Sequence, residues 1–110
     1  MSRPSDLVQG TLDLLILKVL ARSGSLHGYA IARRIEQATG EYLRIEEGSL
    51  YPALHRMTTE KWLKPEWGAT ETNRKARFYV ITAAGKRQLE DEERRWSELT
   101  AAVGKALRFA

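Results

Sequence analysis

The sequence contains no cysteine. That excludes disulfides, thiolate metal sites and a cysteine nucleophile in this chain, and it fits a reducing compartment, so a cytoplasmic location is expected. Histidine is scarce. His27 and His55 stand alone without supporting ligands, so no metal and no cofactor are expected. There is no glycine-rich phosphate loop and no carboxylate cluster outside helix surfaces. Ser49 and His55 are separated along one helix in a way that does not bring a nucleophile to a base, so an enzyme is not expected. Long apolar runs are lacking too. The most apolar stretch, LDLLILKVLA from Leu12 to Ala21, contains Asp13 and Lys18 and falls short of the about 20 residues a membrane span needs. With Asp13 inside that stretch and no small-residue cleavage site after it, a secretory leader is not expected either.

What is present reads as one small domain of 110 residues. A chain of this size buries roughly 65% of the surface it exposes when unfolded, so pooling cores in a dimer would help it. The net charge is +4, a modest excess that gains meaning from its location. In GATETNRKAR, Gly68 to Arg77, the cations Arg74, Lys75 and Arg77 face one acid, Glu71. By contrast EDEERR, Glu90 to Arg95, suits a solvated helix face.

The first segment is polar and reads as frayed through Asp6. From Thr11 to Ala21, Leu12, Leu15, Ile16, Val19 and Leu20 recur at helical spacing and predict an amphipathic helix ended by Gly24. Leu14 and Leu17 lie off this stripe, as they would in a helix buried on a second side by a dimer partner. A second helix is predicted from His27 to Ala38, with Ile31, Ala32 and Ile35 inward and Tyr29 and Arg33 on the opposite side. A third follows in EEGSLYPALHRM, with Leu50, Leu54 and Met57 as its core stripe. Its Pro52 is tolerated only near a helix start. Ser49 is therefore expected as the N-cap, with Pro52 at the third helical position.

Leu63 to Trp67 reads as a short strand, confined by Pro65 to a sheet edge or a bulge. Lys75 to Ile81 alternates and reads as its partner, making a hairpin with a basic tip and outgoing arm. Trp62 is expected in the core and Trp67 as a shield over the hairpin. Thr82 caps a last helix running to about Phe109. Leu89, Trp96 and Val103 recur at heptad spacing in it, with Leu99 and Ala106 at the complementary positions, a seam that needs a partner.

Three helices, a two-stranded β-hairpin and a long C-terminal helix make a mainly α fold in the order of a winged helix-turn-helix. The expected division is a DNA-binding unit over 1–81 and a dimerisation helix over 82–110. In such a fold the third helix enters the major groove and the wing lays cations on neighbouring phosphates. A dimeric protein-interaction adaptor on the same fold, without DNA, is the alternative.

The blocks GTLDLLILKVLARSGSLHGYAIARRIE, EEGSLYPALHRM and RKARFYVITAAGKRQLE occur in that order, and over residues 9 to about 100 the chain resembles the PadR family of transcriptional regulators. The resemblance implies a homodimer of winged helix-turn-helix domains, joined through terminal helices and acting mainly as a repressor on double-stranded DNA. It is the short branch of the family that the single final helix resembles. The recognition-helix motif falls on Ser49 to Arg56, including Tyr51, Pro52 and His55, and the wing motif on Arg74, Lys75 and Arg77. The wing tip lacks the glycine many members carry.

Tyr51 and His55 are expected to touch DNA from the outward face, with Ser49 a cap that could also meet phosphate. Arg56 has two readings, phosphate contact or pairing with Glu60. Tyr29 and Arg33 are expected as phosphate anchors from the second helix. Leu89, Trp96, Leu99 and Val103 are expected at the dimer interface. The resemblance also allows the two Trp96 copies to line a site for a planar aromatic effector.

Overall fold

The computed structural model describes residues 9–109; the frayed segment expected through Asp6 lies outside them. The elements are α1 (Gln9–Ser23), β1 (Leu26–His27), α2 (Gly28–Ala38), α3 (Glu47–Thr59), β2 (Leu63–Ala69), β3 (Lys75–Ile81) and α4 (Ala83–Phe109). The sheet has three antiparallel strands in the order β1-β3-β2, where the sequence suggested two. The added strand is short: Leu26 pairs with Tyr79 and His27 with Phe78. Pro65 sits on the edge strand β2, as its missing N–H requires.

One core lies between the helices and the inner face of the sheet. Leu12, Ile16, Leu17 and Leu20 of α1 meet Ile31 and Ile35 of α2, Leu50, Leu54 and Met57 of α3, and Leu63 and Tyr79 of the sheet. Leu17, which fell outside the predicted stripe, is fully buried within this chain's own core and faces no partner. Three helices and a sheet surround α1, so its apolar face is wider than a one-sided stripe.

The helix ends explain several motif residues. Gly24 closes α1 at φ +80°. α2 ends in a Schellman turn, with Gly40 at φ +61° and the Glu41 N–H donating to the Glu36 carbonyl. α3 ends in the same way, with the Trp62 N–H donating to Met57 O and the Lys61 N–H to Thr58 O. There a lysine, Lys61, occupies the left-handed position at φ +66°. The Thr82 hydroxyl caps α4 by accepting from the Gly85 N–H at 3.0 Å, and it donates to the Lys61 carbonyl at 2.7 Å. Gly85 must be glycine, since a Cβ there would stand 2.2 Å from the Trp62 carbonyl oxygen.

Candidate nucleic-acid interface

α3 buries Leu50, Ala53, Leu54 and Met57 and leaves Ser49, Tyr51, Pro52 and His55 exposed. The helix begins earlier than Ser49. Glu46 is its N-cap, in extended conformation and without a side-chain cap bond, and Glu47 is its first helical residue. Pro52 therefore stands in the second turn and not at the third position. The carbonyl that its absent N–H would have engaged belongs to Gly48, which is exposed, so water can satisfy it.

Arg56 departs from both of its expected readings. Its guanidinium turns from the outward face and donates to both carboxylate oxygens of Asp13 on α1, at 2.7 and 2.9 Å. Asp13 is buried and Arg56 half-buried. The hydrogen bonds it donates to Asp13 hold the Arg56 pKa above its ordinary value. Arg33 is also occupied: it donates to Glu36 at 2.6 Å and to Glu41 at 3.3 Å. Arg33 thus shares its charge with two carboxylates while lining the cleft. Glu36, itself buried, also accepts from the Ile45 N–H at 2.9 Å and so ties the α2–α3 loop to α2. That backbone bond, then the Arg33 guanidinium, lower its pKa from 4.5.

The His-Gly-Tyr triplet builds the other side of the site. His27 caps α2, its Nδ1 accepting from the Ala30 N–H at 3.3 Å, while its ring meets the Phe78 ring edge-on at 5.2 Å. Gly28 makes room for the phenol of Tyr51, since a Cβ at Gly28 would lie 2.9 Å from Tyr51 Cε1. Tyr29 stands 68% exposed beside it. The packing of the His27 ring and of Gly28 carried no local signal, because their partners, Phe78 and Tyr51, lie on β3 and α3.

The wing closes with a three-residue loop. Asn73 N–H donates to Thr70 O, Thr70 N–H to Arg74 O, and Asn73 adopts φ +60°. Asn73 thus takes the left-handed position expected of a glycine. Arg74, Lys75 and Arg77 are exposed. Trp67 does not shield the hairpin: it is 68% exposed, with the Lys75 ammonium 4.9 Å from its ring centre. Between the wing and the start of α2 lies an open cleft of about 1180 Å³, lined among others by Tyr29, Arg34, Tyr51, Trp67, Lys75 and Arg77.

Along α4 the expected seam divides. Leu89 is buried in this chain's own core, packed with α1 and the sheet, and is not available to a partner. Trp96, Leu99 and Val103 lie further along and are about half exposed, followed by the more exposed Leu107 and Phe109. Heptad spacing does not distinguish the part of a helix that packs on its own domain from the part that projects beyond it. Among the described residues no three metal-ligating side chains cluster, and no helix is long and apolar enough to cross a membrane.

Comparison with known proteins places this geometry. A transcriptional regulator from Clostridium thermocellum superposes with a TM-score of 0.81 at 30% identity, over 92% of this chain and 97% of that one. Bacillus subtilis PadR in complex with operator DNA superposes with a TM-score of 0.63 at 29% identity, over 73% of this chain and 45% of that one. The negative transcriptional regulator PadR of Bacillus subtilis is 28% identical over 72 residues, 66% of this chain and 40% of that protein. The chain thus spans less than half the length of PadR itself. The model of the transcriptional regulator PadR-like family matches residues 16–91. The chain belongs to the PadR-like family of transcriptional regulators.

Proposed function

We propose that this protein is a homodimeric, sequence-specific repressor that binds double-stranded DNA, with residues 1–81 reading the duplex and 82–110 pairing the protomers. One observation carries the reading: the exposed face of α3 (Ser49, Tyr51, Pro52, His55) reaches, through Tyr51, the cleft lined by the cationic strand of the wing. α3 would enter the major groove, where base edges are distinguishable, while Arg74, Lys75 and Arg77 hold adjacent phosphates. The operator-bound Bacillus subtilis PadR supports this reading.

Trp96, Leu99 and Val103 project from α4 as an apolar strip that a second copy of α4 would cover. In the dimer the two α3 helices would meet half-sites about 34–36 Å apart. A planar aromatic effector held between the Trp96 side chains would release DNA by turning the reading heads relative to each other. Quenching of tryptophan emission by a panel of planar aromatic compounds tests this, and no quenching well above micromolar concentration counts against it.

The test of DNA binding is a salt titration with genomic duplex fragments. Binding should weaken steeply as salt rises, and reversing the charges of Arg74 and Lys75 should flatten that dependence. No duplex binding at low salt would sink the reading.

A further inference from the structure

Strand register puts Trp67 in an unusual place. The cross-strand pairs Leu63↔Ile81, Pro65↔Tyr79, Trp67↔Arg77 and Ala69↔Lys75 alternate onto one face of the β2–β3 ribbon. The first two pairs face the core, where Leu63 and Tyr79 are buried. The last two continue the same face past the end of the core and into the open cleft. An indole thus stands where the apolar interior stops, 68% exposed, on an edge strand. An exposed indole on a strand edge invites aggregation unless something uses it.

Its surroundings say what would use it. Arg77 lies directly across the ribbon, and the Lys75 ammonium rests 4.9 Å from the indole centre. The opposite wall offers the exposed ring of Tyr29 and the guanidinium of Arg34, which is held to the Ser23 hydroxyl at 3.0 Å. Aromatic faces alternating with cations match a nucleic-acid strand, in which flat or apolar sugar and base surfaces alternate with phosphates.

Resting on the DNA-binding reading above, we infer that the cleft between the wing and α2 holds one strand of the DNA backbone, with the Trp67 indole packed on a deoxyribose and Lys75 and Arg77 on the flanking phosphates. Trp67 is then a non-ionic contact. It adds affinity without reading sequence, since sugar contacts carry no base information.

The test compares Trp67→Ala, Trp67→Phe and Lys75→Ala with the unaltered protein, on a selected operator fragment and on a random duplex across a range of salt. Thermal melting confirms that each variant folds. Trp67→Ala should weaken both duplexes by about ten-fold or more with an unchanged salt slope, and Trp67→Phe should lose less. Lys75→Ala should lower the slope by about 1. In parallel, duplex should protect part of the acrylamide-quenched emission in the unaltered protein and not in Trp67→Phe. The inference is overturned if Trp67→Ala binds both duplexes like the unaltered protein, if its loss is confined to one sequence, or if its loss comes with a lower salt slope. Failure of the unaltered protein to bind any duplex at low salt overturns this inference and the DNA-binding reading together; unaltered binding by the Trp67 variants overturns this inference alone.

Discussion

The carboxylate of Asp13 and the guanidinium of Arg56 form a two-bond pair, at 2.7 and 2.9 Å, that fastens α1 to α3. The two residues are 43 positions apart, one inside the most apolar helix and the other half-buried on α3, next to the exposed His55. Planar, two-bond geometry of this kind suits arginine and not lysine.

Replacing Asp13 by Asn should therefore destabilise the protein by about 2 kcal/mol, because Arg56 stays half-buried beside a neutral group. Arg56→Lys should lose part of that, since an ammonium cannot reproduce both bonds. Chemical denaturation of the two variants checks this. Equal stability of Asp13→Asn and the unaltered protein would show that water replaces the pair at no cost.

A second carboxylate, Glu36, contributes to stability only while it is ionised. The Glu36 pKa lies below 4.5 in the folded protein, chiefly through the Ile45 N–H and then through Arg33. A group whose pKa is lower folded than unfolded contributes stability above its unfolded value, and that contribution disappears as pH falls through the folded value. The melting temperature should therefore drop as pH falls below about 4.5, and the drop should be smaller in Glu36→Gln. Parallel acid limbs in the two proteins would place the effect elsewhere.

These pairs also show which parts of the fold could be read in advance. Ile31, Ile35, Leu50, Leu54 and Met57 were legible because each helix turns one stripe to a single core, and the period of that stripe is set by local geometry. β1 was not legible: two residues cannot show alternation, and Leu26 and His27 are a strand only because β3 lies beside them. α3 starts earlier than a first-turn proline implies, because exposed Gly48 lets Pro52 sit in the second turn. Asp13 amid leucines was the available sign of a buried partner, but nothing local pointed to Arg56. In the site, exposure of Tyr51 and His55 followed from helical phase, and the Arg33–Glu36 pair follows from (i, i+3) spacing on α2, while the contact of Arg33 with Glu41 depended on the loop after α2.

Lys61 offers a gain in stability. It holds φ +66° at the end of α3, a conformation that costs a side-chain-bearing residue roughly 1–2 kcal/mol. Glycine relieves that strain and returns part of the gain as chain entropy in the unfolded state. Lys61→Gly should therefore stabilise by about 0.5–1 kcal/mol and raise the melting temperature by a few degrees. A lower melting temperature would mean that the lysine side chain contributes more than its backbone costs.

The contact between Gly28 and Tyr51 predicts a coupled pair. A methyl group at Gly28 would press on the Tyr51 ring, whose Cε1 lies 2.9 Å from the Cβ position. Gly28→Ala should force that phenol to move, lowering stability by about 1 kcal/mol and weakening duplex binding beyond what the stability loss accounts for. With Tyr51 already replaced by Ala, the three atoms nearest the new methyl group are gone, alanine outranks glycine in a helix, and the same change should cost less or be neutral. Melting and binding measurements on the four proteins of this double-mutant cycle read the coupling directly. Additive effects would mean that the ring yields without cost, and that Gly28 is not what holds Tyr51 on the outward face of α3.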